Sequence, residues 1–259
     1  LKMIIEKKSN IKIYDVNNKS YFNEIKTKLN KKIIAQEKQI DKLIELYVDN
    51  LNKTSTIPNS ILIEGSTGTG KTELVKLLAK YTNNNLIKIN MNEYKNEISI
   101  NRIIGSPQGY IGYNDTNTTF EELKIKPNSI ILIENINEAH YTIKNLFKNI
   151  LEDGILKNSK NEVINLTNNL IIFTNTKNNN KNSIGFIDNK LKEDNNILKI
   201  ENKIIMNNLE EKDIIKIIKT KAKLKEIEIK EIIKNSNYLK EGANNLDKLI
   251  KNSQIAQIS

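Results

Sequence analysis

The chain has 259 residues, a formal net charge of +10, and 40 Lys against one Arg, Arg102; Ile, Asn and Lys together make up about half of it. With no Cys and one His, it can form neither a disulfide framework nor a zinc site built on thiolates or several histidines. No apolar run approaches the roughly 18 residues of a membrane span or secretory core, and Lys that rises together with Ile and Asn reads as AT bias and solvated surface, so neither a membrane nor a nucleic acid is expected as a partner.

The length suits one or two domains, and Leu1 in place of an initiating Met raises the expectation of a piece of a longer protein. Residues 1–28 read as an N-terminal linker with a short alternating stretch at Ile11, Ile13 and Tyr14. From Tyr21 to about Leu51, Ile33, Ile34, Ile40, Leu43, Ile44 and Leu46 follow helical spacing. Pro58 closes a turn. Ile61-Leu62-Ile63 predicts a buried strand, followed by a helix from Gly70 to about Tyr81. Further strands are predicted at 86–89, 129–133 and 170–173, with a helix over about 138–151 between the last two. Unbroken Ile/Leu strands alternating with helices are what a parallel sheet covered on both faces requires. Asn-rich tracts at 178–182 and 190–196 read as loops. A last strand at 203–206 precedes helical patterning from Leu209 to Ile255. The expected organisation is therefore an α/β domain over 29–207 and a small, truncated helical domain over 208–259.

Gly65-Ser66-Thr67-Gly68-Thr69-Gly70-Lys71-Thr72 matches G-x-x-x-x-G-K-[ST], directly after a strand and opening a helix. The glycines let backbone N–H groups curl around phosphate oxygens, and the helix N-terminus adds partial positive charge. Lys71 is expected to reach the β/γ-phosphates of ATP, and the Thr72 hydroxyl to ligate Mg²⁺.

The chain resembles the AAA+ ATPases of the Clp chaperone group over about residues 29–245, specifically the second ATPase module of ClpB- and ClpC-type unfoldases. Lys31-Lys32-Ile33-Ile34-Ala35-Gln36 resembles the adenine-pocket segment, with Ala35 where Gly is usual, so Ile33 and Ile34 are implied to line the base. The phosphate loop continues into Glu73-Leu74 as in that family. Residues 101–113, ending Gly109-Tyr110-Ile111-Gly112-Tyr113, look like the pore-loop segment. There an aromatic between glycines can grip extended polypeptide; Tyr110 is the implied gripping residue and Tyr113 a second candidate. Ile130 to His140 resembles the Walker B strand and its Ala-His pair, and Leu151-Glu152-Asp153-Gly154 also fits. His140 reads as a structural residue at a helix start.

The resemblance also exposes departures. Where the family has Asp then Glu after the Walker B strand, this chain has Glu134 and Asn135. Glu134 can still contact the metal shell, but Asn135 cannot accept a proton. Loss of a general base costs about 10²–10⁴ in rate; Glu134 or a water chain remains an alternative base. The arginine-finger position falls on Lys199 and the small-domain sensor position on Asn244. Lys keeps the charge without the planar fork, and Arg fingers are worth about 10³–10⁵ in related chemistry. The sensor-1 position falls on Thr176, with Asn175 beside it. Ile184-Gly185-Phe186 resembles the tripeptide by which Clp unfoldases dock on the ClpP peptidase, which points to the ClpC type. The resemblance thus implies an ATP- and Mg²⁺-dependent unfoldase module in a homo- or hetero-hexamer that threads polypeptide toward ClpP, with weakened hydrolysis. The alternative is a non-hydrolysing nucleotide-binding structural or regulatory subunit of a mixed Clp ring. The composition bias leads to the expectation of a plastid-type organelle, the apicoplast stroma.

Overall fold

A computed structural model describes residues 18–176, 198–222, 224, 226–236 and 238–255. Helix α1 (Lys19–Lys32) starts where the Asn18 side chain accepts from the Tyr21 amide, and it buries Phe22, Ile25 and Leu29 on one stripe. The expected linker boundary at residue 28 falls inside this helix. Helix α2 (Glu37–Asn52) buries Ile40, Leu43, Ile44 and Tyr47 on a matching stripe. The continuous helical pattern over 21–51 is thus two helices. The break has a local cause: Ala35 sits at φ +63°, a left-handed conformation that stops a helix and costs an L-residue about 1–2 kcal/mol. Gln36, fully buried, then exchanges hydrogen bonds with the Asn207 backbone at 2.9 Å each way.

Strands β1 (Asn59–Gly65), β2 (Leu86–Asn90), β3 (Ile130–Glu134), β6 (Leu170–Thr176) and β7 (Asn202–Ile205) form a parallel sheet in the order β2-β3-β6-β1-β7. The α/β expectation holds. Helix α3 (Lys71–Tyr81) follows β1; α4 (Asn101–Ile104) and α5 (Thr119–Ile125) lie between β2 and β3; α6 (Tyr141–Asp153) follows β3. Alternation inside β3 explains its unbroken apolar run. Ile130 and Leu132 pack with α1, α2 and α3, whereas Ile131 and Ile133 pack on the opposite face with Ile143, Phe147 and Ile150 of α6. Phe147 meets Phe173 of β6 edge-on at 5.9 Å. Each fully buried Ile or Leu here is worth about 1.5–3 kcal/mol, so Leu132→Ala, at a site with no exposure, would cost about 2–5 kcal/mol.

An antiparallel hairpin of β4 (Ile155–Lys157) and β5 (Val163–Asn165) follows the left-handed Gly154. After β7 the pattern read as continuously helical divides into α7 (Glu211–Lys221), α8 (Glu226–Asn235), α9 (Tyr238–Glu241) and α10 (Leu246–Ile255). Ile214, Ile218, Ile229, Ile232 and Leu246 build their own core, with Ile34 packed against it. His140 caps α6, its ring nitrogen accepting from the Thr142 amide.

Candidate nucleotide site

Parallel register aligns the carboxyl ends of the strands, where α/β sheets bind ligands. Gly65 of β1 pairs with Thr176 of β6, and Asn90 of β2 with Glu134 of β3. The chain leaves β1 through residues 65–70, with Gly68 at φ +72° and Gly70 at φ +95°, and enters α3 at Lys71. The first turn of α3 leaves amide donors without partners inside the helix, aimed at the loop. Ile33 approaches Gly70 from the α1 side: a Cβ on Gly70 would meet its Cδ1 at 3.8 Å. Ile33 belongs to the sheet core and Ile34 to the small helical core, so the pair straddles the junction beside the loop.

Lys71 is buried, and its Nζ donates to the Gly65 and Ser66 carbonyls, each at 2.8 Å. Burial pushes its pKa down to about 8; an anion at the loop would offset that desolvation. The Thr69 hydroxyl donates to the Ser66 carbonyl at 2.9 Å, which tightens the turn, and Ser66 Oγ donates to Asn208 Oδ1 at 2.8 Å. Thr72 Oγ1 donates to Glu134 Oε1. The Thr72 hydroxyl and the buried Glu134 carboxylate are thus adjacent hard oxygen donors, the set Mg²⁺ uses beside nucleotide phosphates. The residues fit a metal–nucleotide complex. Glu73 projects into solvent.

Asn135 lies at φ +55°, ψ +49°, and its Oδ1 accepts from Thr176 Oγ1 at 3.3 Å. Thr176 therefore belongs to this cluster, with Asn175 one residue earlier on β6. Lys199 does not. It is exposed and precedes β7, whose Asn202 pairs with Ile61 near the start of β1, so it lies toward the amino ends of the strands, away from this chain's own loop. Arg102 pairs with Glu93 at 3.4 Å on the surface.

Tyr110 and Tyr113 part company. Tyr110 is 69 % exposed beside Gly109, around which a Cβ would meet nothing within 4 Å. Tyr113 is half-buried under Lys160 of the hairpin turn, whose Nζ stands 4.9 Å from the ring centroid. Ser159 of the same turn donates through its amide to the Ile104 carbonyl and through Oγ to the Ser106 carbonyl, each at 2.9 Å. Ile184, Gly185 and Phe186 lie outside the described residues.

Two features escaped the sequence reading. Lys88 of β2 forms an ion pair with Glu134 Oε2 at 2.7 Å; its only sequence signal is a lone charge in Leu-Ile-Lys-Ile-Asn. The small domain also touches the phosphate loop directly. The Ala243 amide donates to the Gly68 carbonyl at 3.0 Å. A Cβ on Gly68 would come within 2.0 Å of the Glu241 carbonyl oxygen, and one on Gly242 within 2.5 Å of the Thr67 oxygen. Asn244, beside this contact, is exposed.

The sequence profile of the AAA domain (Cdc48 subfamily) matches residues 58–235, a span running from β1 to the end of α8. The chain belongs to this family. Within it, the module is of the Clp/Hsp100 kind, and membership implies nucleotide binding. It is 37% identical over 152 residues to Chaperone protein ClpB of Mycoplasma genitalium, an alignment covering 56% of this chain and 21% of that protein. It is 32% identical over 182 residues to the ATP-dependent Clp protease ATP-binding subunit ClpE of Lactococcus lactis, covering 67% and 24%. The chain thus spans about a quarter or less of these relatives. A closed-state cryo-electron-microscopy reconstruction of Hsp104 with ATPγS and FITC casein superimposes with a TM-score of 0.73 at 22% identity. That superposition covers 93% of this chain and 48% of the Hsp104 chain, and it shows the shared fold.

Proposed function

We propose that this AAA+ module binds ATP with Mg²⁺ in a ClpC-type unfoldase subunit. The subunit works in a homo- or hetero-hexameric ring that threads polypeptide toward a ClpP-type peptidase, and its own hydrolysis is weakened. The observation that carries this reading is the contrast within one site. Lys71, Thr72 and Glu134 converge as a phosphate and metal set, while the next residue, Asn135, carries no carboxylate. Thr72 and Glu134 would hold the metal, directly or through its waters. When bound, the metal supplies charge neutralisation and orientation of the β- and γ-phosphates. Lys71 turns from the loop carbonyls toward phosphate. Asn135, steadied by Thr176, can orient a water but cannot take its proton. Lys199, exposed and remote from its own loop, is available to a neighbouring subunit as a point charge. Tyr110, free and aromatic, is the substrate-gripping residue.

The ClpC assignment is supported by the Ile184-Gly185-Phe186 pattern and by a relative named as the ATP-binding subunit of a Clp protease. The proposed location, a plastid-type organelle such as the apicoplast, is supported by the Ile/Asn/Lys bias alone. The same Asn135 favours a second reading, a non-hydrolysing nucleotide-binding subunit of a mixed ring. ATP binding by the chain, abolished in Lys71→Ala, is expected under both readings, and its absence would refute both. Turnover separates them. A slow but measurable wild type that Asn135→Glu accelerates by about tenfold or more supports the unfoldase, whereas no turnover in either supports the regulatory subunit. A fast wild type unchanged by the substitution would contradict the weakened site. Deleting residues 184–186 is expected to abolish ClpP association; retained association would remove that assignment.

A further inference from the structure

Lys88 stands on the edge strand β2, two residues before Asn90, the partner of Glu134 in the register. It is therefore a diagonal neighbour of Glu134 on the same sheet face. Its ammonium lies 2.7 Å from Glu134 Oε2, and the Glu134 side chain is only 10% exposed. The other oxygen, Oε1, accepts from Thr72. Both oxygens of the Glu134 carboxylate are thus engaged, and its negative charge is met by a cation built into the chain.

This pairing has two chemical consequences. To serve a divalent cation or its water, Glu134 would have to release or share the Lys88 ammonium. Conversely, a nucleotide arriving without metal does not meet a bare carboxylate next to its phosphates, because Lys88 screens that repulsion at short range in a partly dry site. Lys71 and the α3 N-terminus then attract the phosphates from the other side.

We propose that Lys88 is a resident counter-ion of Glu134 that sets the metal dependence of this site. It allows a nucleoside triphosphate to bind with little help from a divalent cation, and it raises the Mg²⁺ concentration at which the metal adds. This rests on the nucleotide-site reading above. Lys88 acts through Glu134 and is a positioning residue, not a catalytic one.

The test is equilibrium binding of a fluorescent, non-hydrolysable ATP analogue to the full chain, in Mg²⁺ and in EDTA. It uses wild type, Lys88→Met, Lys88→Gln and Lys88→Arg. Lys88 is 41% exposed on an edge strand, so the variants should fold, as circular dichroism will check, and two neutral replacements guard against one failing. Wild type is expected to lose less than about threefold in affinity on removal of Mg²⁺, and the neutral variants about tenfold or more. Lys88→Arg, which keeps the charge, should behave as wild type. The half-saturating Mg²⁺ concentration should fall in Lys88→Met. Equal metal dependence in all four proteins would overturn the proposal while leaving the nucleotide site intact. No binding to wild type in either condition would overturn the nucleotide site and the proposal with it.

Discussion

Replacing Gly242 by Ala tests whether the small helical domain is held to the phosphate loop by backbone contact. Gly242 sits at φ +56°, and a Cβ there would lie 2.5 Å from the Thr67 oxygen, 2.7 Å from the Gly68 carbonyl carbon and 2.8 Å from the Gly68 oxygen. All three are backbone atoms, so no side chain can swing aside. The left-handed conformation alone costs Ala about 1–2 kcal/mol, offset by about 0.4–1 kcal/mol from a less flexible unfolded chain. Opening the contact also loses the Ala243-to-Gly68 hydrogen bond, worth about 1 kcal/mol, together with the packing around it. The expected cost is about 2–3 kcal/mol. Gly109→Ala is the matched control: its φ is +89°, but the space around it is open, so it carries backbone strain without a clash. Urea denaturation of the two variants beside wild type, with nucleotide affinity measured in parallel, reads out the difference. Gly242→Ala should be the less stable by at least about 1 kcal/mol and should bind nucleotide more weakly. Equal stability of the two variants would refute the idea that this contact joins the domains.

Further outcomes are expected. Ala35→Gly should raise stability by about 0.5–1 kcal/mol in chemical denaturation, because φ +63° strains Ala and relaxes with Gly; a loss of stability would contradict that backbone geometry. Under the proposed unfoldase reading, Tyr110→Ala should abolish substrate translocation with little change in melting temperature, whereas Tyr113→Ala should lower the melting temperature because it removes the ring beneath Lys160. Reversed effects would exchange their roles. Burial holds Lys71 and Lys53 at about 8, against 10.5 for an ordinary lysine. Between about pH 8 and pH 10 the unfolded chain therefore binds more protons, and nucleotide-free stability should rise. Above about pH 10 the trend should reverse, because burial raises Tyr21 and Tyr94 above the value at which the unfolded chain ionises them. Urea midpoints across this range check both slopes, and a fall from about pH 8 to pH 9.5 would refute the lysine argument.

The strands were legible because sandwiched parallel strands leave unbroken apolar runs, but their polar ends were not. Glu64, Glu134, Asn175 and Thr176 continue their strands without any apolar signal. The motif over residues 65–72 was legible because its glycines, Lys71 and Thr72 fall in eight consecutive positions, whereas its contacts with Glu134 and Ala243 were not. The split between α1 and α2 was hidden because periodicity reports which face is apolar and not the sign of φ at Ala35. Contacts between distant segments could not be paired from spacing: Lys88 with Glu134, Lys160 with Tyr113, and Ala243 with Gly68 are fixed by topology. The family resemblance supplied the candidate site residues, and the sheet register sets Lys199 apart from the cluster that holds Thr176.

The left-handed turn at Asn135 bears on the reversibility of change in this site. Among non-glycine residues, Asn and Asp tolerate that conformation best, and a longer side chain such as Glu pays for it in stability. Glu at 135 would also have to re-form, with a side chain one methylene longer, the hydrogen bond that Asn135 Oδ1 accepts from Thr176. Replacing Asn135 by Glu therefore carries a cost in stability together with whatever it changes in turnover. Glu is thus reached at this turn only at a cost in stability unless compensating substitutions around it come first, whereas Asp, which tolerates the same conformation, avoids that backbone cost.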